Sequence, residues 1–536
     1  MKLGGEGTLE NPIELGAEGA RPQGRISQAK GQSGSSLGYD EHCLAPELLF
    51  QSATLIFLEE KKIMEAAILK VVATINSYLA DYILIFLLIG TGLIFTIKTR
   101  FVQIRCFGEG MKKVFGNIKL RGGKQEGGLS SFQALATAIA AQVGTGNIVG
   151  ASGAILVGGP GAIFWMWIIA FLGMATIYAE AVLAQETRVC DDKGNISGGP
   201  VYYIRKAFPN GFGKFLSGFF SVATILALGF MGCMVQSNSI AESCNTALGI
   251  PGWIVGLVLV AVSAFIFLGG IQRIASVTEK MVPVMACLFL LGGLVILVAR
   301  IQYVPQTIGL IFSYAFTPNA LIGGGIGYAL KTAISQGAKR GLFSNEAGMG
   351  STPHAHAMAN VAKPHDQGVV AMIGVFIDTF VVLTMTALVV ITCLYTGDGV
   401  LAGLTGEAYA AATSGAAAVV SKTNAMQLAA GSVFGTGIGS IFVAVCLLFF
   451  AFSTILSWNF FGKVNVEFLS NKSKVAVVIY SVAAIGFIFL GTLLKNDLVW
   501  ELTDFFNYLM VLPNAIALIA LSSVVAKASK GKAEKK

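Results

Sequence analysis

The sequence predicts an all-α membrane protein of about eleven transmembrane helices. One helix precedes a five-plus-five inverted repeat, and each half opens with a discontinuous helix. Three observations predict this class. Of the 536 residues, 54% are hydrophobic and only 12% are charged, with a mean hydropathy of +0.72, whereas soluble domains carry about 25% charged residues. The apolar residues fall into runs long enough to cross a hydrocarbon core of ~30 Å, which takes about 20 helical residues. Two of those runs are interrupted by glycines and polar residues, at Gly144-Thr145-Gly146-Asn147 and at Ser344-Asn345-Glu346-Ala347-Gly348-Met349-Gly350.

The predicted spans are 79–98, 131–157, 161–187, 214–246, 252–270, 280–300, 320–360 (broken), 366–396, 433–462, 475–494 and 498–524. Loop charge supports the count. The loop from Lys98 to Lys124 holds eight basic residues, and alternation places Arg188, Arg205, Lys206, Arg273, Lys463 and Lys472 on the same side. Positive residues collect on the cytoplasmic side, so the expected topology is N-terminus out and C-terminus in. The net charge of +8 is carried by these loops, which excludes a nucleic-acid-binding face and makes the lipid bilayer the implied partner. Because five is odd, the second half crosses the membrane in the opposite sense to the first, as alternating-access transporters require.

Domain organisation follows composition. Residues 1–63 are rich in Gly, Ser, Glu and Arg, with one apolar patch at Leu48–Leu58, and read as a disordered extension or as the product of a start codon assigned upstream of Met64. They carry no basic n-region followed by an apolar h-region, so no cleavable signal is expected. Residues 64–524 form the membrane domain, and 525–536 a basic cytoplasmic tail. The eight cysteines are scattered without a CxxC, so neither a disulfide framework nor a zinc site is expected. No HExxH or GxSxG falls within the apolar runs, which argues against an intramembrane enzyme.

Non-helical backbone at membrane depth survives only where protein or a water-filled cavity satisfies it. The first break exposes N–H groups at one half-helix end, suited to a carboxylate, and carbonyls at the other, suited to a small cation. One element can therefore hold an anionic group and a cation together. In the second segment, Lys339, Arg340 and Glu346 are candidates for a gate or a structural charge network. His354 and His356 are expected to face the cytoplasmic vestibule. Asp378 is expected to lie deep and hydrogen-bonded, with a proton-relay role as the alternative. Thr454 and Trp458 are one helical turn apart and share a face, so a hydroxyl and a large apolar wall fall side by side.

Residues 158–173, Gly-Gly-Pro-Gly-Ala-Ile-Phe-Trp-Met-Trp-Ile-Ile-Ala-Phe-Leu-Gly, resemble the signature of the sodium:alanine symporter family. The stretches Ala141–Asn147 and Gly341–Gly350 are similar to that family as well. The resemblance runs from about residue 79 to 524. It implies a LeuT-like inverted repeat in the cell membrane that imports alanine, glycine or similar small neutral amino acids coupled to Na+; H+ coupling is the alternative. It also implies that Gln142, Gly144, Thr145, Gly146, Asn147, Phe343, Asn345, Thr454 and Trp458 bind substrate. For Na+ it implies the carbonyls of Ala140 and Val143 with the hydroxyls of Ser453 and Thr454, all hard oxygen ligands. No prosthetic group is implied, and nothing in the sequence specifies an oligomeric state.

Overall fold

The computed structural model describes residues 64–116, 128–191, 196–316, 326–415, 418–494 and 496–530. The extension at 1–63 and the last residues of the basic tail lie outside this set.

Among the described residues, eight helices are long and apolar enough to cross a membrane. They are α1 (Met64–Lys98), α5 (Ala162–Thr187), α6 (Gly211–Leu248), α8 (Gly270–Ala299), α11 (Pro364–Leu394), α12 (Thr436–Leu469), α13 (Lys474–Gly491) and α14 (Asp497–Ala520). A bent pair, α3 (Ser131–Gln142) and α4 (Gly146–Gly158), counts as a ninth span with a 45° change of direction. Two further expected spans take other forms. Residues 252–270 supply the 16-residue helix α7 (Gly252–Phe267), which is short for the hydrocarbon core. Residues 320–360 supply α9 (Ile326–Asn345) and, after a gap, the five-residue α10 (Pro353–Ala357). A short helix, α2 (Phe107–Phe115), lies in the basic loop after α1.

Local chemistry sets several helix starts. Ser130 caps α3 in a capping box, its hydroxyl accepting the Gln133 N–H while the Gln133 side chain accepts the Ser130 N–H. Proline occupies the first turn of α10 and α11, where the missing N–H costs no helical bond.

Burial separates core helices from lipid-facing ones. In α5, 72% of the apolar window is buried, against 22% in α13. Apolar side chains left outward, such as Phe86, Phe265, Leu291 and Val475, are what a bilayer solvates and water does not. α5 packs on α9, α11 and α1; α12 packs on α3, α6 and α8; and α4 packs against α9. The two broken helices thus lie against each other between α5 and α11 on one side and α6 and α12 on the other.

Candidate functional site

Where α3 ends, the helix ladder opens, and four of the freed backbone groups find side-chain partners. Val143 leaves the helical region (φ −81°, ψ 87°). The Gly144 N–H donates to Asn147 Oδ1 at 3.0 Å, and the Thr145 N–H donates to Gln236 Oε1 at 3.1 Å. In a continuous helix those two donors would serve the carbonyls of Ala140 and Ala141. The released Ala140 carbonyl accepts instead from Thr454 Oγ1 at 2.8 Å and from Ser453 Oγ at 3.4 Å, and the Ala141 carbonyl from Thr454 Oγ1 at 3.3 Å. The two hydroxyls of α12 thereby sit on the end of α3, and Ser457 Oγ continues the row by donating to the Thr137 carbonyl at 2.9 Å.

Glycine at 144 and 146 is required by close approach. A Cβ on Gly144 would stand 2.4 Å from Thr454 Oγ1 and 3.1 Å from Gln236 Oε1. One on Gly146 would stand 3.0 Å from Phe343 Cδ1 and 3.1 Å from Ser344 Cα. The first break therefore meets α12 on one side and the second break on the other.

The second break runs from Glu346 to Thr352. Glu346 (φ 57°), Gly348 (φ 93°) and Gly350 (φ 82°) turn the chain through the left-handed region, where only glycine goes without a steric cost. Glu346 is over-determined by its side chain, which accepts from Trp458 Nε1 and from Ser351 Oγ. Glu180, from α5, takes the place of the missing helix turn. Its two oxygens accept the N–H groups of Gly348 and Gly350 at 3.1 and 3.0 Å, while Asn514 Nδ2 donates to Glu180 at 2.6 Å and to the Gly348 carbonyl at 2.9 Å.

Two links join the breaks. Gln142 Nε2 donates to the Asn345 carbonyl at 2.8 Å. Asp378, buried in α11, accepts from Asn147 Nδ2 at 2.7 Å on one side and from Ser344 Oγ at 2.9 Å on the other, with Thr379 Oγ1 donating at 2.8 Å. Asp378 is thus the deep, hydrogen-bonded group that its position in the apolar run predicts.

Every expected substrate residue lies in this neighbourhood and is buried: Gln142, Thr145, Asn147, Phe343, Asn345, Thr454 and Trp458, with the backbone of Gly144 and Gly146 between them. Phe343 meets Trp458 edge-on at 5.8 Å between ring centroids and lies 4.9 Å from Trp500. Two buried polar atoms of the first break, Gln142 Oε1 and Thr145 Oγ1, have no hydrogen-bond partner, an arrangement that calls for a bound group or water. A cavity on the side of the basic loops, lined by Arg205, Lys463 and Met358 among others, reaches Asn459, the neighbour of Trp458 in sequence.

Several expectations are corrected. Lys339, Arg340 and Glu346 do not form one charge network. Lys339 pairs with Asp81 at 3.5 Å, Arg340 pairs with Asp504 at 2.9 Å and lies over the Trp500 ring, and Glu346 is bound by Trp458 and Ser351. Residues 339 and 340 lie within α9, where they meet Asp81 and the buried Asp504, whereas 346 lies past its end in the turned segment. His354 and His356 do not face a vestibule. Both are buried, with ring nitrogens held by Asn465 (2.9 Å) and Gln367 (2.8 Å), because α10 folds back into the bundle. Trp458 is more than an apolar wall, since its indole N–H reaches Glu346. Gln236, Glu180 and Asn514 were not assigned to the site from sequence; an amide or carboxylate at membrane depth was the available signal.

A family model described as the sodium:alanine symporter family matches residues 64–536. The chain belongs to the sodium:alanine symporter family. Members with curated names are similar over most of their length. The sodium/alanine symporter AgcS of Methanococcus maripaludis is 40% identical over 86% of this chain and 96% of its own. YrbD of Bacillus subtilis, whose name gives sodium or proton as the driving ion for alanine, is 40% identical over 84% and 90%. The amino-acid carrier AlsT of the same organism is 37% identical over 84% and 90%. Among solved structures, that of MhsT in complex with L-phenylalanine aligns with a TM-score of 0.51 at 14% identity, covering 76% of this chain and all of that one. That likeness bears on the fold, which is LeuT-like. Family membership makes the chain a multi-pass amino acid:cation symporter and not an enzyme.

Proposed function

We propose that the protein imports small neutral amino acids, alanine or glycine, coupled to Na+ across the cell membrane by alternating access, with its N-terminus outside and its C-terminus inside. The observation that carries the coupling ion is the cluster of hard oxygens at the end of α3. The Ala140 carbonyl, released from the helix, lies within reach of Ser453 Oγ and Thr454 Oγ1, and the non-helical Val143 turns its carbonyl out of the ladder. If the two hydroxyl protons rotate away, these oxygens form a neutral set suited to a monovalent hard cation. Substrate binding falls to the adjoining first break, where Gln142 and Thr145 each keep an unpartnered oxygen and Phe343 and Trp458 bound the space for a side chain. Asn147 and Asn345 hold the two breaks in register through Asp378 and Gln142. The membrane domain extends over 64–524, followed by a basic tail at 525–536.

Coupling follows because the Na+ ligands Ala140 and Val143 and the substrate residues Gly144–Asn147 are one continuous segment. Ordering that segment with one ligand lowers the cost of binding the other. Proton coupling is the second reading, favoured by Asp378 and Glu346, two buried carboxylates held by neutral donors. Uptake of labelled alanine into proteoliposomes separates the two. An imposed Na+ gradient at uniform pH drives accumulation, and a pH gradient in sodium-free buffer does not; accumulation under the second condition rejects Na+ coupling.

A further inference from the structure

The loop helix α2 is pinned to the bundle where three side chains of metal-ligating type converge, outside both breaks. Cys106 Sγ, a carboxylate oxygen of Glu109 and a ring nitrogen of His365 all lie within 4.8 Å of one another. Cys106 is buried, and Glu109 and His365 are half-buried. The packing that brings them together is specific: a Cβ on Gly110 would stand 2.7 Å from Ile373 Cγ1 and 2.8 Å from the Val369 carbonyl, so only glycine lets α2 lie this close to α11. That contact sets Glu109 beside His365, one turn before Val369.

We infer that Cys106, Glu109 and His365 form a binding site for a borderline transition-metal cation of the Zn2+ class. Thiolate, imidazole and carboxylate are the ligand types such ions select, with metal–ligand bonds of about 2.0–2.3 Å. Tetrahedral geometry at those lengths places ligand atoms about 3.3–3.8 Å apart. His365 Nε2 and Glu109 Oε1 already stand 3.6 Å apart, and Cys106 Sγ lies within 4.8 Å of both. The histidine is oriented for the task. Its Nδ1 lies 2.7 Å from the Tyr178 hydroxyl of α5; with Nδ1–H donating to that oxygen, the Nε2 lone pair points at Glu109, the outer-shell arrangement typical of metal-bound histidines. Three protein ligands leave the fourth position for water. One cation competes: Lys113 lies 3.9 Å from Glu109 and 3.0 Å from Asp366. Binding ties α2, through Glu109 and the N-cap residue Cys106, to α11, through His365.

Co2+ titration of the purified full-length protein in a thiol-free reductant tests the site. The expected result is one equivalent bound with tetrahedral d–d bands and a sulfur-to-cobalt charge-transfer band, both erased by Zn2+. Cys106→Ser removes the charge-transfer band, His365→Gln weakens binding at least ~10-fold, and Lys113→Ala tightens it by about 2–5-fold. The pair Cys190→Ser and Cys287→Ser, at the two exposed described cysteines, leaves the spectrum unchanged. A wild-type protein without the charge-transfer band overturns the inference, as does a band that survives Cys106→Ser. The wild-type spectrum is decisive even if a variant fails to fold.

Discussion

Replacing Gly144 with alanine places a methyl carbon 2.4 Å from Thr454 Oγ1 and 3.1 Å from Gln236 Oε1. Those atoms carry the polar accounting of the first break, since Thr454 Oγ1 donates to the Ala140 and Ala141 carbonyls and Gln236 Oε1 accepts from the Thr145 N–H. Overpacking a well-filled interior costs about 1–3 kcal/mol. Pushing the Thr454 hydroxyl off its carbonyls leaves a buried acceptor unpaired, a further ~1–3 kcal/mol. If only ~2 kcal/mol of the total falls on the cation-bound form, the sodium concentration for half-maximal uptake rises about 30-fold. The assay is alanine uptake into proteoliposomes as a function of external Na+, with reconstituted protein quantified to exclude loss of folding. The reasoning also requires non-additivity. Thr454→Ala removes the nearest atom that the new methyl strikes and leaves the 3.1 Å contact with Gln236 Oε1, so Gly144→Ala costs less in that background than in the wild type. An unaltered sodium dependence in the single variant, or fully additive effects in the double, refutes the account.

Thr454→Ala alone removes the hydroxyl nearest the Ala140 carbonyl and one proposed ligand, and is expected to raise half-saturating sodium by about 5–10-fold, read from the same titration. Trp458→Ala opens space beside Phe343 and strips Glu346 of its indole donor; alanine uptake weakens and larger neutral amino acids begin to compete, which unchanged competition by a substrate panel would contradict. Arg340→Ala strands Asp504 in a buried position, at about 3–5 kcal/mol, and the thermal midpoint falls; the double variant Arg340→Ala/Asp504→Ala recovers most of that loss, and a double variant no more stable than the single counts against an ion pair. Asp378→Ala deletes the acceptor shared by Asn147 and Ser344; with about 2–4 kcal/mol at stake in buried donors left unpaired, transport is lost while Asp378→Asn retains more stability than Asp378→Ala in a melting assay.

Composition, run length and the two glycine-bearing interruptions were legible in the sequence because each is local. An apolar run long enough for the bilayer can do little but form a helix, since lipid offers its backbone no partners. Gly144-Thr145-Gly146-Asn147 and Gly348-Met349-Gly350 stand out against that background, and both are breaks in the structure. The motif at 158–173 added the family, and with it the proposed substrate residues, which cluster around the breaks.

What completes the site was not legible, because it is built from contacts across long sequence separations. Gln236 meets Thr145 from 91 residues away, Trp458 meets Glu346 from 112, and Asn514 meets Glu180 from 334. Each sits among other polar residues of its helix, and its partner depends on how the helices rotate and pack. By itself the sequence determined that the chain spans the membrane and where its helices break. Tertiary structure alone decided which side chains cap the broken ends, and the reason is electrostatic: at membrane depth every freed N–H and carbonyl must find a partner within the protein, so the packing that supplies those partners also defines the site.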